Sequence, residues 1–171
     1  MKNKIAFDIV KEKKRIGVTT MITVGEMAPE FTLEGSNGEQ VRLADFRGEN
    51  VVLYFYPKDM TPGCTTEACD FRDAYGLFQE KDTVILGVSP DSVNRHMKFI
   101  EKHELPFALL VDEDHKVAEL YNVWKLKKNF GKEYMGIERS TFLINKDGEL
   151  VKEWRKVKVK GHIEDVLSYI K

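Results

Sequence analysis

Cysteine is scarce in this sequence, with two cysteines in 171 residues. A secreted domain that is held together by a disulfide framework carries more, so that class of protein is excluded. No apolar run approaches the roughly 20 residues that span a bilayer. The net charge of −1 provides no strong field to attract nucleic acid or an anionic membrane. We therefore expect an intracellular, cytoplasmic protein with no nucleic-acid partner and no membrane partner.

The chain also lacks internal repeats, linkers and low-complexity segments. Its composition, 42% hydrophobic and 32% charged, is that of a globular protein, and its length favours a single domain. Residues 1–20 are rich in lysine, poor in serine and interrupted by Asp8, so they resemble neither a signal peptide nor a transit peptide. We predict an N-terminal extension over residues 1–20 that is loosely packed or disordered, with a short packed helix as the alternative. The domain is predicted over residues 21–171.

Strand and helix patterns alternate along the rest of the chain. Short apolar runs rich in β-branched residues predict strands, and apolar residues recurring every three or four positions predict helices. Residues 145–148 carry a strong hairpin signal between the last two strands. The predicted strands are 41–43, 51–56, 83–89, 107–111, 140–144 and 149–154, and the predicted helices are 65–80, 91–105, 117–121 and 163–170. This order predicts an α/β fold with helices on both faces of a sheet.

Both cysteines lie where the strand over residues 51–56 is followed by a helix. Pro57 and the Pro62-Gly63 pair break the chain into a loop, which places Cys64 at or just inside the helix N-terminus. The unpaired amides and the macrodipole of a helix N-terminus favour a thiolate, which is the reactive form of cysteine. The alternative is that Cys64 is a small, inert core residue.

Cys69 follows Cys64 by five residues. In an α-helix, two such residues have Cα atoms about 8.6 Å apart. A disulfide needs Cα atoms within about 7 Å, so the two thiols cannot bond while the helix is intact. If they do bond, the first turns of the helix must unwind. The alternative is that Cys69 is a core residue that never reacts.

The spacing of Pro57, Thr61 and Cys64 resembles the P-x-x-x-T-x-x-C active-site motif of the peroxiredoxins. The longer stretch over residues 55–69 is similar to the bacterioferritin comigratory protein, or peroxiredoxin Q, subfamily. The resemblance continues at residues 25–31, 121–124 and 136–144, and it spans about residues 21–171. It implies a thioredoxin-like fold with a central mixed β-sheet.

The resemblance also implies an activity, a thiol-dependent peroxidase that reduces hydrogen peroxide and organic hydroperoxides. Cys64 matches the peroxidatic cysteine, which becomes a sulfenic acid. Cys69 matches the resolving cysteine, which closes a disulfide that a thioredoxin-like reductant reopens. Thr61 and Arg139 match residues that orient the peroxide and stabilise the thiolate, and Pro57 matches the residue that shields the sulfur. The resemblance implies neither a cofactor nor a metal, and it favours a monomer, because many relatives in this subfamily are monomeric, with a dimer as the alternative.

The residues around this motif also have simpler interpretations. Arg139 could form a surface ion pair with Glu138, and Glu67 suits the positive end of a helix without a catalytic role. A zinc site that combines Cys64 and Cys69 with a histidine would use a spacing that fits zinc poorly. The lysines of residues 125–132 and 155–160 form a basic surface, which is either simply solvated or a docking site for an acidic reductant.

Two other functions would use the same cysteines. A redox-sensing binding protein would need both thiols but little turnover. A general thiol-disulfide oxidoreductase would normally carry a C-x-x-C pair, which this chain lacks. Peroxide consumption with a recycling reductant distinguishes the peroxidase from both.

Overall fold

A computed structural model describes residues 22–171. The predicted extension over residues 1–20 lies outside the described residues. Its packing, and the start of the domain at residue 21, therefore stay predictions. Among the described residues, no helix is long and apolar enough to cross a membrane.

A seven-stranded mixed sheet forms the centre of the molecule, with the spatial order β2-β1-β5-β4-β3-β8-β9. Strands β3, β4 and β5 pair in parallel, and the other neighbours are antiparallel. A separate antiparallel hairpin is formed by β6 and β7. The strands are β1 (Thr32–Gly35), β2 (Gln40–Arg42), β3 (Asn50–Phe55), β4 (Thr83–Ser89), β5 (Ala108–Val111), β6 (Trp124–Asn129), β7 (Lys132–Ile137), β8 (Ser140–Ile144) and β9 (Leu150–Trp154).

Five α-helices and one 3₁₀ helix cover the two faces of this sheet. The α-helices are α1 (Pro62–Asp73), α2 (Tyr75–Glu80), α3 (Val93–His103), α4 (Lys116–Leu120) and α5 (His162–Ser168), and the 3₁₀ helix is Leu43–Phe46. The buried residues of α1, α2, α3 and α5 share one core, and those of α4 and the 3₁₀ helix share the other. The predicted α/β fold with helices on both faces is therefore confirmed.

Strand β3 separates these two cores. Its side chains alternate, so that Leu53 and Phe55 enter one core while Val52 and Tyr54 enter the other. The whole strand is buried, as expected for a central strand that is covered on both faces. This explains why residues 51–56 read as a continuous apolar run.

The structure differs from the prediction in several elements. Strand β1 and the 3₁₀ helix Leu43–Phe46 were not predicted. The helix predicted over residues 65–80 begins at Pro62 and is interrupted at Ala74, where α1 ends and α2 begins. The β6–β7 hairpin was predicted only as a basic surface. Its strands carry many lysines and are mostly exposed, so they lack the apolar alternation that marks a half-buried strand.

The pairing of β3 with β8 brings distant parts of the chain together. These strands are antiparallel, and Phe55 at the end of β3 pairs with Ser140 at the start of β8. The loop that follows β3 therefore lies beside the residue that precedes β8. That loop leads to Cys64, and the residue before β8 is Arg139.

Candidate active site

Cys64 lies in the first turn of α1. Thr61 is the N-cap, Pro62 occupies the first helical position, and the Thr61 carbonyl accepts a hydrogen bond from the Thr65 amide at 2.9 Å. Proline suits this position because its missing amide hydrogen would have had no partner there. The Cys64 side chain is only 1% exposed, and both cysteines are free thiols. The thiol thus lies within a helix N-terminus that favours negative charge.

Arg139 bridges Cys64 and Glu67. Its Nη2 lies 3.3 Å from Cys64 Sγ, and its Nη1 lies 2.8 Å from Glu67 Oε1. Because a guanidinium stays charged at every physiological pH, it can hold a thiolate and polarise a peroxide oxygen. Gly63 leaves room for this contact, since a Cβ there would lie 3.2 Å from Arg139 Nη2. The alternative partner of Arg139, Glu138, is not the one the structure uses.

Glu67 is a member of this site that the sequence did not reveal. Its side chain is fully buried, and its second oxygen, Oε2, has no hydrogen-bond partner among the described residues. Burial raises the pKa of Glu67 to about 7, although the neighbouring Arg139 opposes that change. Glu67 therefore titrates near neutral pH, and it shares Arg139 with the Cys64 thiol.

The titration of Glu67 makes folding stability depend on pH. Its folded-state pKa of about 7 exceeds the ordinary value of 4.5. The folded protein thus binds more protons than the unfolded chain between these pH values, and stability falls as pH rises through that window. We expect the free energy of unfolding of the wild type to fall by about 3 kcal/mol, relative to Glu67→Gln, between pH 4.5 and 8.

Urea unfolding of the reduced proteins at a series of pH values measures this difference. The matched control is Glu101→Gln, because Glu101 lies on the exposed side of α3. A wild-type and Glu67→Gln difference that stays constant with pH would contradict the shifted titration of Glu67.

Pro57 and Thr61 belong to the loop between β3 and α1. Pro57 is partly buried and follows the strand after Tyr56. The Thr61 hydroxyl donates to the Lys58 carbonyl at 2.8 Å. In this structure that bond closes the loop on itself just before α1. The hydroxyl remains three residues from Cys64 along the chain, and it can both donate and accept a hydrogen bond.

A buried network of hydrogen bonds holds the loop between β3 and α1 in place. Asp59 Oδ1 accepts a hydrogen bond from the Tyr56 hydroxyl at 2.6 Å, and Asp59 Oδ2 lies 2.6 Å from His96 Nδ1. His96 Nε2 donates to the Leu110 carbonyl at 2.9 Å, because a carbonyl oxygen can only accept. The Asp59 amide donates to Asp91 at 2.8 Å. These bonds tie the loop to α3 and to β5.

Asp59, Asp91 and His96 are also close enough to suggest a metal site, since their ligand atoms lie within 4.8 Å of one another. Their donor atoms are already engaged, however. The oxygens of Asp91 accept bonds from Ser89 and Arg95, in addition to the Asp59 amide. A metal ion would have to displace these partners, so the cluster fits a hydrogen-bonded brace rather than a cation site.

Lys127 approaches the site from the β6–β7 hairpin. It is partly buried, and burial together with the charge of Arg139 lowers its pKa. Its aliphatic stem lies over Gly136, where a Cβ would be 3.3 Å from Lys127 Cδ. Lys128 and Lys132 are exposed, as expected for a solvated surface. Lys125 is also partly buried and donates to Asn122 Oδ1 at 2.8 Å, so the lysines of this run differ in exposure although they looked uniform in sequence.

Cys69 has different neighbours from Cys64. It is partly buried on α1, and its Sγ lies 3.8 Å from Nδ1 of His103, the last residue of α3. Cys64 thus has Arg139 as its polar neighbour, and Cys69 has His103.

The chain is similar to known proteins over most of its length. The sequence model of the AhpC/TSA family matches residues 24–153. Peroxiredoxin Bcp of Bacillus subtilis is 66% identical over 150 residues, which cover 88% of this chain and 96% of that protein. Peroxiredoxin Bcp of Escherichia coli is 43% identical over 150 residues, with the same coverage of 88% and 96%.

Solved structures extend this likeness to three dimensions. The bacterioferritin comigratory protein of Xanthomonas campestris, studied for its alkyl peroxide reduction activity, has a TM-score of 0.78 at 44% identity, covering 82% of this chain and 89% of that one. A cysteine-to-serine mutant of PrxQ from Xylella fastidiosa has a TM-score of 0.82 at 37% identity, covering 87% and 95%. The predicted thioredoxin-like fold is confirmed by these matches.

Proposed function

The chain belongs to the AhpC/TSA family, among its Bcp/PrxQ peroxiredoxins, and is a thiol-dependent peroxidase; on that premise we propose that Cys64 is the peroxidatic cysteine and Cys69 the resolving cysteine. The observation that carries this proposal is the 3.3 Å contact between Arg139 Nη2 and Cys64 Sγ at the N-terminus of α1. A thiolate held by a guanidinium and by helix amides is an activated nucleophile.

In the first step, the Cys64 thiolate attacks one peroxide oxygen. The S–O bond forms as the O–O bond breaks, and the departing oxygen takes a proton to become water or an alcohol. Negative charge develops on that departing oxygen, where Arg139 can stabilise it. Thr61 provides a hydroxyl near the helix N-terminus that can orient the peroxide, and Pro57 shields the sulfur from solvent.

We assign hydrogen peroxide and organic hydroperoxides as the substrates. The alkyl peroxide reduction activity of the Xanthomonas relative supports the second class. Neither substrate needs a cofactor or a metal in this mechanism, because the two electrons come from the sulfur of Cys64.

In the second step, Cys69 attacks the sulfenic acid and closes a disulfide with loss of water. Both cysteines lie in α1, five residues apart, where Cα atoms are about 8.6 Å from each other. That separation exceeds the reach of a disulfide, so part of α1 must unwind before the bond can form. A thioredoxin-like protein then supplies two electrons and restores both thiols by thiol-disulfide exchange.

We place this reaction in the cytoplasm and expect a monomer, with a dimer as the alternative. The cytoplasm is a reducing compartment, so it keeps free thiols reduced between turnovers. The basic residues of the β6–β7 hairpin form a positively charged docking surface, which is complementary to an acidic reductant.

Intact mass after one equivalent of hydrogen peroxide tests the assignment. The wild type should lose two hydrogens as the disulfide closes. Cys69→Ser should gain one oxygen and no disulfide, because the sulfenic acid has no resolving thiol, and excess peroxide should oxidise it further. Recycling of Cys69→Ser by thioredoxin at the wild-type rate would overturn the resolving role, and no mass change in either protein would overturn the role of Cys64.

A further inference from the structure

We propose that His103 is a catalytic residue of the resolving step, where it takes the proton of Cys69 before the resulting thiolate attacks the Cys64 sulfenic acid. This rests on the assignment of Cys69 as the resolving cysteine. The geometry behind it is the 3.8 Å contact between Cys69 Sγ and His103 Nδ1, made between two helices by residues 34 positions apart in sequence.

The position of His103 suits a proton acceptor. It is the last residue of the eleven-residue helix α3, whose final carbonyls favour positive charge. A protonated imidazole is therefore stabilised where it forms, and the thiolate that it leaves behind is its counter-charge. The ring is held in place by an edge contact with Phe99, with a centroid distance of 5.3 Å and an interplanar angle of 79°.

Arg72 fixes this arrangement from α1. Its Nη1 donates to the His103 backbone carbonyl at 2.7 Å, and its Nε donates to Asp73 at 3.0 Å. The hydrogen bond to Asp73 is the main reason why the pKa of Arg72 is raised, and the proximity of Cys69 raises it further. Arg72 is thus the charged group bonded to His103, and Asp73 on α1 and Glu104 after α3 are the acidic groups that act on Arg72.

The step balances without an added oxidant. Neutral His103 accepts the proton of the Cys69 thiol, and the resulting thiolate attacks the sulfur of the Cys64 sulfenic acid. The S–S bond forms as the S–O bond breaks, and the departing hydroxide takes a proton from water. The imidazolium then returns its proton to the solvent. A thiolate is the attacking form in such exchange reactions, so a base beside Cys69 accelerates closure.

His103→Asn tests the proposal, since asparagine cannot take a proton. Rapid mixing with hydrogen peroxide, acid quenching and intact mass separate the first oxidation from disulfide closure. We expect the first oxidation to be unchanged and closure at pH 7 to slow on the order of 10²-fold. The sulfenic acid then persists, so excess peroxide should add two oxygens to a larger fraction of the variant.

The pH profile distinguishes a proton acceptor from a merely structural residue. At high pH, hydroxide removes the Cys69 proton, so the deficit of His103→Asn should disappear, and added imidazole should restore closure at pH 7. The matched control is His115→Asn, because His115 stacks on Trp124 with a centroid distance of 3.8 Å, away from the pair. It should close at the wild-type rate.

This experiment distinguishes a failure of the resolving role of Cys69 from a failure of the role of His103. If the wild type forms no disulfide between Cys64 and Cys69, the resolving role of Cys69 fails, and the role of His103 fails with it. If the wild type closes and His103→Asn closes equally fast at pH 7, only the role of His103 is overturned. A deficit that is the same at every pH would also overturn it, in favour of a packing role.

Discussion

Peroxide turnover should fall at least about 10⁴-fold when Cys64 is replaced by serine, because the nucleophile is removed while the shape of the side chain is kept. The hydroxyl of serine is not ionised at neutral pH, even at a helix N-terminus beside Arg139. Cys64 is buried in the core between α1 and the sheet, and serine is of similar size, so the fold should persist. Peroxide consumption with thioredoxin and its reductase measures the effect.

The single-turnover behaviour of Cys69→Ser is the control for this result. That variant keeps Cys64 and should reduce one equivalent of peroxide without recycling. Cys64→Ser should reduce none, which separates loss of the nucleophile from loss of the resolving thiol. Turnover in Cys64→Ser above a few per cent of wild type would mean that another group attacks the peroxide.

The second large effect is expected at Arg139. In Arg139→Met, a side chain of similar length no longer contacts Cys64 Sγ or the departing peroxide oxygen. Removing one preorganised donor of this kind costs about 10²–10³-fold in rate. The second-order rate of the first oxidation, followed by stopped-flow with excess peroxide, should fall by that factor, while disulfide closure after oxidation should change little.

Arg139→Met also leaves Glu67 buried without its counter-charge, which destabilises the protein. The double variant Glu67→Gln with Arg139→Met removes that second effect. It should regain stability without regaining rate. Arg155→Met is the matched control, since Arg155 packs 4.9 Å from the Phe142 ring and donates to the Asn122 carbonyl. A first oxidation in Arg139→Met as fast as in Arg155→Met would remove Arg139 from the chemistry.

The elements of the central sheet were largely predictable because their signals are local. Residues 83–89 form β4 with the predicted bounds, and residues 140–144 form β8. Each of these strands is buried, so its apolar run is continuous and visible in sequence. The β6–β7 hairpin was missed because it lies outside the main sheet and exposes most of its side chains, so nothing in its pattern separates it from a basic loop.

The interruption at Ala74 shows a different limit. Phe71 and Phe78 are both buried in the same core, so the apolar period continues across the break. Apolar periodicity indicates which face of a helix is buried. It does not reveal a break in the helix when the residues on both sides of the break bury the same face. The sequence therefore predicted one long helix where the chain forms two.

The spatial neighbours of the site residues were harder to predict from the sequence. Glu67 looked like a helix-dipole residue, yet it is the buried ion-pair partner of Arg139, 72 positions away. Asp59 and His96 are 37 positions apart and had no ligand spacing or other signal in common. Such roles are visible only in the tertiary structure, which shows a buried carboxylate oxygen without a hydrogen-bond partner, or a hydrogen bond between residues that are distant in sequence.

By itself, the sequence determined that Cys64 lies at or just inside a helix N-terminus and that Cys69 is too far from it, while that helix is intact, to form a disulfide. Both conclusions follow from turn-forming residues and from the fixed rise of an α-helix, which act over a few residues. Only the tertiary structure decided that Arg139 contacts Cys64 and that His103 contacts Cys69. Those residues are 75 and 34 positions apart, and their distances depend on which strands pair and which helices pack together.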